Sequence, residues 1–566
     1  MRWPPTSLLL VVALATVLPA AERITFKDRC LRDLVAQAPA ILASQDPRTG
    51  RFGQGIWIVN DQHAMLPLAA LWATKAAGNP FYRSADLLSA IMAAGDALIA
   101  DQDASGKWEF RKKDGSTWGA IYMPWTYSRW IRTFHLVRDA MPAPRRAKWE
   151  RALRLGYTGI ARELAGARLH NIPAHHAMGL HFAARALGEP SWADQARDIL
   201  RRIAAHQHPD GYWSENAGPV VLYGTVYVEA LGIYYAASGD REVLPALERA
   251  ALFHAYFTYP NGTDVETIDE RNSYHETVRV PNAGFPQTPE GRAYTARQLR
   301  LYGKPLPWDE AAALLLWGTE GEAAGFDPAR GDFDYSLPGG GAAVRRRGPW
   351  TLVASAFTAP VPKSRWRQDR QNFLSVFHDR AGLILGGGNT KLQPRWSTFT
   401  WGDLNLLRHR PGDQDPDFLP PPGLRHVPSA ARLLTGGEFG VELDYGGPQG
   451  RVTVRVRDAS RADVTWQAAP ELQGHVTVLA RPAAPLRAGD QSWARLAAAP
   501  FPIAPGASGW LEHAGFRLEF PPAATLVWPA LPHNPYRKDG HAEDEEGRLV
   551  IDLPRGGTHT VVVQTP

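Results

Sequence analysis

Three polar segments in the first half of the chain carry side chains that could transfer protons or bind an acidic group. The first contains Asn171 and the pair His175–His176. Pro173 suits the first turn of a helix and Asn171 suits the position just ahead of it, which would place both histidines in that turn, at the mouth of the helix. The positive end of the helix dipole favours neutral histidine, which can accept a proton. A capping asparagine beside two surface histidines would give the same pattern without any chemistry.

The second segment is a polar, aromatic loop that leads into a helix. It contains Trp213, Glu215, Tyr223 and Tyr227. The two tyrosines are one helical turn apart, so both can face the same rim. A tyrosine donates a proton unmodified, but to act as a base it needs nearby cations, because its usual pKa is about 10. The context of Trp213 predicts an exposed ring on which a sugar can stack, although tyrosines at helix starts are also common structural residues.

The third segment contains Arg271, Tyr274 and His275 in a loop after a long helix. Binding residues often lie on loops that a rigid scaffold holds in place. The guanidinium of Arg271 can form a two-pronged pair with a carboxylate. The chain has 20 Trp, a content that favours sugar-stacking surfaces, and Trp125 is a further predicted substrate contact. A solvated surface loop is the alternative interpretation of this segment.

Together the segments supply what β-elimination at a uronate requires. The substrate carboxylate must be neutralised, for which we predict Asn171, His175 or His176, and Arg271. The C5 proton must be withdrawn by histidine or tyrosine, and the departing O4 must be protonated, for which we predict Tyr223. This chemistry needs no metal and no cofactor. The predicted substrate contacts are Trp213, Tyr227, Glu215, Tyr274, His275 and Trp125.

Composition and the N-terminal residues predict a secreted enzyme with an acidic partner. The 566 residues carry a formal charge of +5 at pH 7 without a basic tract, which suits a polyanion and argues against nucleic-acid binding. Arg2, the apolar stretch 7–18 and the small residues up to Ala21 form the pattern of a cleaved secretory signal over residues 1–21. We therefore expect a periplasmic or secreted protein. Cys30 is the only cysteine, so no internal disulfide can form.

The apolar spacing changes from helical to strand-like near residue 326. We predict an N-terminal (α/α) incomplete toroid over 22–325, followed by an antiparallel β-sandwich over 326–566, with a division into two sub-sheets near 470 as one alternative. The helical segments expected from this spacing are 85–99, 147–164, 176–187, 192–206, 224–237 and 241–258. The expected strands include 351–357, 373–377, 441–445, 452–456, 476–479, 516–520, 549–553 and 558–563.

This order of domains resembles the heparinase II/III-like and alginate-lyase-like polysaccharide lyases. Those enzymes carry an Asn/His pair at the start of one helix and, further on, a loop with Asp-Gly and Glu that leads to a catalytic tyrosine. The matching residues are Asn171 with His175–His176, then Asp210-Gly211 and Glu215, then Tyr223. Segment 369–378 resembles the start of their sheet domain. Here Ala174 replaces one residue of the usual Asn-Asn-His, and no His-x-His-x-Asp run predicts a structural zinc. The resemblance implies an acidic polysaccharide substrate.

Two other functions fit parts of the pattern. An inverting glycoside hydrolase on an (α/α)₆ barrel needs one protonated and one ionised carboxyl group. The available carboxyl groups are Asp61, Asp210, Glu215, Glu229 and Asp269. A non-catalytic glycan-binding protein would explain the tryptophan content but not the polar histidine and tyrosine segments. The clustering of those histidines and tyrosines, with a sandwich on the C-terminal side, favours the lyase.

Overall fold

The computed structural model describes residues 22–53, 62–111, 117–325, 327–407, 413, 416–500, 502–503, 509–537 and 539–566. The predicted signal segment 1–21 and Asp61 lie outside these residues. The first half of the described chain is built from eleven α-helices. Their bounds are α1 Lys27–Ala43, α2 Met65–Ala73, α3 Ala85–Asp101, α4 Pro124–Val137, α5 Ala143–Leu164, α6 Asn171–Leu187, α7 Pro190–Ala205, α8 Val221–Ser238, α9 Leu244–Tyr256, α10 Pro289–Tyr302 and α11 Trp308–Trp317.

The helices pack in two layers around a common axis. The inner layer contains α2, α4, α6, α8 and α11, since each packs against the next and α11 also packs against α2. One outer helix separates α2 from α4, α4 from α6 and α6 from α8, so these inner helices run in the same direction. Arg129, near the start of α4, donates a hydrogen bond to Asp309 at the start of α11. Helix α11 therefore runs in the same direction as α4. All inner helices thus begin at one face of the toroid.

The helices begin and end at the residues that sequence chemistry favours. Ser84 caps α3 by accepting a hydrogen bond from the backbone of Leu87 at 3.3 Å. Gly188 and Gly239 follow α6 and α8 with φ of 71° and 72°, a left-handed conformation that glycine adopts without strain. The six predicted helical segments all correspond to observed helices. Within the described residues, no helix combines the length and apolar character needed to cross a bilayer.

Short strands accompany the toroid, and a large sheet follows it. The short strands are β1 Arg23–Ile24, β2 Trp108–Arg111, β3 Thr117–Ile121 and β4 Gly321–Glu322. The large sheet contains β5 Phe333–Ser336, β6 Ala342–Arg347, β7 Trp350–Ser355, β8 Leu374–His378, β9 Gly382–Leu385, β10 Phe399–Gly402, β11 Leu424–Arg425, β12 Ala430–Leu434, β13 Phe439–Asp444, β14 Gln449–Val456, β15 Arg461–Leu479, β16 Leu486–Ala488, β17 Gln491–Trp493, β18 Trp510–His513, β19 Phe516–Glu519, β20 Thr525–Ala530 and β21 Arg548–Gln564.

The pairings within the large sheet are antiparallel, and β15 with β21 forms its longest ladder. This ladder runs from Arg461 opposite Gln564 to Leu479 opposite Arg548. Its register shifts between Ala468 and Gln473, close to the predicted division near residue 470, and the pairing continues on both sides of the shift. Alternate residues of these strands point into a shared apolar core that includes Val464, Val476, Ile551 and Val561. The predicted fold class, a helical toroid followed by an antiparallel sheet domain, is confirmed.

An apolar cluster joins the two halves. From the toroid it contains Tyr259, Val265 and Ile268, and from the sheet domain Val353 and Phe377, whose ring stacks on that of Tyr259 at 4.7 Å. The loop between α9 and α10 is therefore buried against the sheet domain over part of its length. The predicted boundary between residues 325 and 326 stays a prediction, because residue 326 lies outside the described residues.

Candidate active site

Tyr223 and Arg271 lie together at the face where the inner helices begin. Helix α8 starts at Val221, which places Tyr223 in its first turn, half-buried. The guanidinium carbon of Arg271 lies 4.6 Å from the centroid of the Tyr223 ring. A cation over the face of an aromatic ring is stabilising, and it also favours the ionised form of the phenol. The structure therefore brings together two residues that the sequence predicted from separate segments.

The electrostatic surroundings of Tyr223 act in opposite directions. Burial raises the pKa of Tyr223 above its usual value, and the Arg271 guanidinium lowers it. Smaller contributions, that of the Tyr536 phenol first among them, raise it further. The resting phenol is therefore protonated at neutral pH and can donate a proton. If that proton is lost, the Arg271 guanidinium stabilises the phenolate.

The carboxylate of Asp269 fixes both partners through the backbone. Its Oδ2 accepts a hydrogen bond from the Val221 amide at 2.7 Å, at the start of α8. Its Oδ1 accepts one from the Arg271 amide at 2.7 Å and another from the Asn272 amide at 2.8 Å. The buried Asp269 side chain thus fixes the position of the helix end that carries Tyr223 and of the loop that carries Arg271. Sequence reasoning treated Asp269 only as a carboxylate for a hydrolase and missed this role.

Tyr227 lies one turn deeper in α8 and is enclosed. Its ring stacks on Trp213 at a centroid distance of 4.9 Å and an interplanar angle of 7°. Its hydroxyl donates to Oε1 of Glu215 at 3.0 Å. Burial, followed by the charge of Glu215, raises the pKa of Tyr227 well above its usual value, and the backbone of Asn171 acts against that shift. Tyr227 therefore connects the starts of α6 and α8 and is poorly suited to lose its proton.

The prediction that Trp213 is an exposed stacking platform is wrong. The side chain is 2% exposed, and its indole N–H donates to the Ile203 carbonyl at 2.9 Å. One face of the indole packs on the Tyr227 ring and its N–H is bonded, so Trp213 supports Tyr227 from behind. Glu215, which we predicted as a substrate contact, is half-buried and holds the Tyr227 hydroxyl.

The histidine pair occupies a different position from the one predicted. Helix α6 begins at Asn171, one residue earlier than a capping role requires, and His170 is the capping residue. His175 and His176 therefore lie in the second turn, where they are 0% and 7% exposed, instead of at an exposed helix mouth. Burial lowers the pKa of each to about 3. Both are neutral, as expected, but the main cause is burial and not the helix dipole.

Asn171 is the member of this segment that lies at the end of α6. Its side-chain oxygen accepts a hydrogen bond from the Ile172 amide at 2.9 Å and lies 3.1 Å from Nδ1 of His170. The side chain is 8% exposed, its oxygen is occupied locally, and among the described residues its amide nitrogen donates no hydrogen bond. The position at a helix start beside Tyr227 places it on the same face as Tyr223.

The remaining predicted contacts fall into three environments. Tyr274 is buried in the cluster between the two halves, with its hydroxyl 3.1 Å from Oγ1 of Thr263, so its position does not support a contact with substrate. His275 is exposed on the following loop. Trp125 is half-buried at the start of α4, with its ring 5.8 Å from that of His175. Of these three, Trp125 lies at the face where the inner helices begin.

A charged cluster at the toroid axis is a feature that the sequence did not predict. Nε of Arg129 in α4 donates to both carboxylate oxygens of Asp309 in α11, at 2.9 and 2.8 Å. Oε1 of Glu229 lies 4.0 Å from the Arg129 guanidinium, and its Oε2 lies 3.6 Å from Nε2 of His175. Burial and the neighbouring Asp309 raise the pKa of Glu310 to about 7. These residues come from four different helices, so no local spacing could reveal the cluster.

The described carboxylates of the hydrolase alternative are engaged by protein groups. Asp269 holds backbone amides, Glu215 holds Tyr227 and Glu229 belongs to the axial cluster. Oδ1 of Asp210 accepts from the Gly339 amide of the sheet domain at 2.9 Å, and Asp210 is buried. This arrangement offers no open pair of carboxyl groups among the four, and so it favours the tyrosine-centred site. Among the described residues, no group of three His, Cys, Asp or Glu is arranged to hold a metal ion.

Comparison with known proteins gives matches at the level of the fold. No protein-family model and no curated protein sequence matches the chain. The chondroitin AC lyase of Streptomyces coelicolor A3, solved in complex with chondroitin sulphate, superposes with a TM-score of 0.54 at 14% identity, covering 97% of this chain and 80% of that one. A heparinase III structure gives a TM-score of 0.51 at 11% identity, covering 97% of this chain and 85% of that one. The chain therefore has the fold of the chondroitinase- and heparinase-type polysaccharide lyases.

Proposed function

We propose that this protein is a polysaccharide lyase that cleaves a uronic-acid-containing polymer by β-elimination. The observation that carries the proposal is the contact between Tyr223 and Arg271, which places a proton-transfer group against a fixed cation. Asn171 lies at the same face of the toroid, at the start of the neighbouring inner helix. The likeness in fold to chondroitin AC lyase and heparinase III supports the same chemistry.

Arg271 and Asn171 neutralise the substrate carboxylate in this proposal. The Arg271 guanidinium carbon lies over the Tyr223 ring, and a guanidinium carries five N–H donors that can pair with a carboxylate. The amide nitrogen of Asn171 supplies a further donor. Removal of the C5 proton moves negative charge onto the carboxylate, so these donors stabilise the transition state more than the ground state.

Tyr223 transfers the protons. The resting phenol first releases its proton to solvent, and the phenolate, which Arg271 stabilises, then takes the proton from C5 of the uronate. The electron pair of the C5–H bond forms the C4=C5 double bond, and the bond from C4 to the glycosidic oxygen breaks. Tyr223 then returns the proton to that oxygen, which becomes the hydroxyl group of the new reducing end. The new non-reducing end is an unsaturated uronate, and Tyr223 is restored to its starting state.

His175 and His176 act as supporting residues in this scheme. Both are buried and neutral, and His175 lies 3.6 Å from Glu229 in the axial cluster. The sequence predicts for them a share in carboxylate binding or proton removal, but they lie one turn deeper in α6 than Asn171 and stay neutral, so the proposal gives these steps to Asn171, Arg271 and Tyr223. The histidines instead fill the space between α4, α6 and α8 and keep the start of α6 in place.

The proposed partner is an acidic polysaccharide outside the cytoplasm. The formal charge of +5 and the position of Arg271 at the site suit a polyanion. The periplasmic or secreted location rests on the signal pattern of residues 1–21. Both are consistent with a lyase that degrades polymers too large to cross a membrane.

The test is incubation with a panel of uronate polymers while ultraviolet absorbance and reducing ends are followed. A lyase raises both signals together, because each cleavage makes one unsaturated uronate and one reducing end. We expect the substitution Tyr223→Phe to lower the rate of cleavage by at least about 10²-fold. Reducing ends without absorbance would indicate a hydrolase, and retention of a polymer without either signal would indicate a glycan-binding protein. Either of these results would contradict the proposal.

A further inference from the structure

Four aromatic side chains form a continuous contact from the toroid to the sheet domain. Phe110 and Trp118, on the hairpin β2–β3, stack at a centroid distance of 4.8 Å. Trp118 meets the edge of Trp366 at 6.3 Å, and Trp366 meets Tyr536 at 5.7 Å, both from loops of the sheet domain. We call these four residues the aromatic bridge. It joins the two halves by side chains at the surface, of which Phe110 also packs against the apolar core of the toroid.

The toroid end of the bridge is firmly held. Trp108 begins the hairpin and is 2% exposed, and its indole N–H donates to the Leu98 carbonyl at 3.0 Å. Trp108 pairs with Ile121 across the hairpin, and its ring lies 4.7 Å from that of Tyr127 in α4. The hairpin connects the end of α3 to the start of α4. It therefore stands at the face where the inner helices begin.

The other end of the bridge is tied to Arg271. Trp366 lies two residues before Gln368, whose amide nitrogen donates to the Arg271 carbonyl at 3.3 Å. The Gln368 backbone N–H donates to the Glu270 carbonyl at 2.8 Å. The bridge thus crosses from one half to the other beside the Tyr223–Arg271 pair.

Exposed aromatic rings and positive charge meet at this place. Trp118 is 59% exposed and Tyr536 is 64% exposed, unusual values for such large apolar groups. Around Trp366, the segment 358–368 carries Lys363, Arg365 and Arg367 and no acidic residue. Aromatic faces pack against the C–H faces of sugar rings, and cations pair with uronate or sulfate groups. The surface suits one acidic sugar at the edge of the cleft.

We infer that the aromatic bridge closes one side of the cleft beside Tyr223 and makes this enzyme cut its polymer from a chain end. The inference rests on the proposed lyase function. A polymer lying across Tyr223 and Arg271 cannot continue past the bridge on that side, because the rings of the hairpin and of the sheet domain are in contact there. The terminal sugars stack on Trp118, Trp366 and Tyr536, and each reaction releases a short product of fixed size.

The test compares chain length with the number of bonds cut, using the wild-type protein and a uronate polymer that it cleaves. We expect ultraviolet absorbance to rise while size-exclusion chromatography shows a single short product and polymer of nearly unchanged length. Trp118→Ala should release longer oligosaccharides early in the reaction, because it opens the bridge. It should also raise KM by about tenfold, which corresponds to ~1.4 kcal/mol of lost binding. Tyr536→Ala should act in the same direction, and Trp118→Phe should restore the wild-type pattern.

Tyr82→Ala is the matched control. Tyr82 is also an exposed aromatic residue, but it follows the C-terminal end of α2 and so lies at the opposite face of the toroid. We expect this variant to keep the wild-type products and KM. A wild-type enzyme that shortens the polymer rapidly at low absorbance would overturn the inference and leave the lyase function intact. Unchanged products from Trp118→Ala and Tyr536→Ala would also overturn it. If the wild-type protein produced no ultraviolet absorbance from any polymer, the proposed lyase function itself would be contradicted.

Discussion

The guanidinium of Arg271 lies 4.6 Å from the ring centroid of Tyr223, at the start of helix α8. This contact joins a loop of the α9–α10 connection to the first turn of an inner helix. It places a guanidinium against a phenol whose pKa is raised by burial. In the proposed reaction the same cation serves both the phenolate and the substrate carboxylate.

Replacing Arg271 by alanine should reduce turnover and shift its pH dependence. Arg271 lowers the pKa of Tyr223, so its loss raises that pKa and moves the formation of the phenolate to higher pH. We expect kcat at neutral pH to fall on the order of 10²-fold, with the rising limb of the pH profile displaced toward alkaline pH. The measurement is kcat and kcat/KM against pH for both proteins. A variant with the wild-type profile would show that Arg271 does not act on the proton-transfer group.

Tyr227→Phe should affect stability more than turnover. The substitution removes the hydrogen bond to Glu215, which is worth about 1 kcal/mol of folding stability, while the ring can still stack on Trp213. Urea denaturation and turnover of the same preparation test this together. The opposite pattern, in which Tyr227→Phe abolishes turnover and Tyr223→Phe keeps it, would transfer the proton-transfer role to Tyr227.

Asp269→Asn should impair positioning of Tyr223 and Arg271. An amide offers one acceptor oxygen in place of two, so either the Val221 amide or the Arg271 and Asn272 amides must lose their partner. We expect kcat to fall more than KM rises, and unfolding to be easier by ~1–2 kcal/mol, the usual effect of losing a helix cap.

Asp240→Asn is the control for that experiment. Asp240 lies just beyond the other end of α8, where it accepts from the Tyr234 hydroxyl at 2.8 Å and from the Glu242 amide at 3.2 Å. Its replacement should lower stability and leave kcat unchanged. Equal losses of kcat in the two variants would show that turnover follows overall stability and not the geometry at Asp269.

Stability should decrease as the pH falls below 6.5. Burial lowers the pKa of His175 and His176 to about 3 and that of His254 to about 4, whereas the value in the unfolded chain is near 6.5. The folded state therefore binds fewer protons. The stabilisation that the buried neutral histidines give to the folded state is complete above pH 6.5. It is lost, by ~1.4 kcal/mol per pH unit for each histidine, as the pH falls toward their pKa values in the folded state.

Chemical denaturation at pH 7.5 and pH 5.5 measures this loss. His176→Gln removes one of the titrating groups, so its free energy of unfolding should fall less between the two pH values than that of the wild type. A wild-type protein equally stable at both pH values would contradict the burial of neutral histidines.

Local sequence patterns were sufficient to predict six of the eleven described helices of the toroid and the place of Tyr223 at the start of one of them. The apolar spacing and the glycines at 188 and 239 define helices that need no distant partner to be recognised. The exposure of Trp213 was not predictable in this way, because it depends on the Tyr227 ring and the Ile203 carbonyl. The contact between Arg129 and Asp309 joins residues 180 positions apart, and only the closure of the toroid brings them together.

The contact between Tyr223 and Arg271 shows what local sequence patterns cannot predict. Each residue was predicted for the site from its own segment, but their mutual position is set by Asp269, which holds the backbone of both segments. A capping carboxylate that reaches Val221 from 48 residues further along the chain leaves no local signal. Positioning residues of this kind can be identified only from the folded structure.

The central claim is that cleavage requires the acidity that the carboxylate gives to C5. The most direct measurement follows unsaturated uronate and reducing ends for one polymer in two forms, native and with its carboxyl groups reduced to alcohols. We expect both signals from the native polymer and neither from the reduced one, with Tyr223→Phe inactive on both. Cleavage of the reduced polymer, with new reducing ends and no ultraviolet-absorbing product, would contradict the account and assign the reaction to hydrolysis.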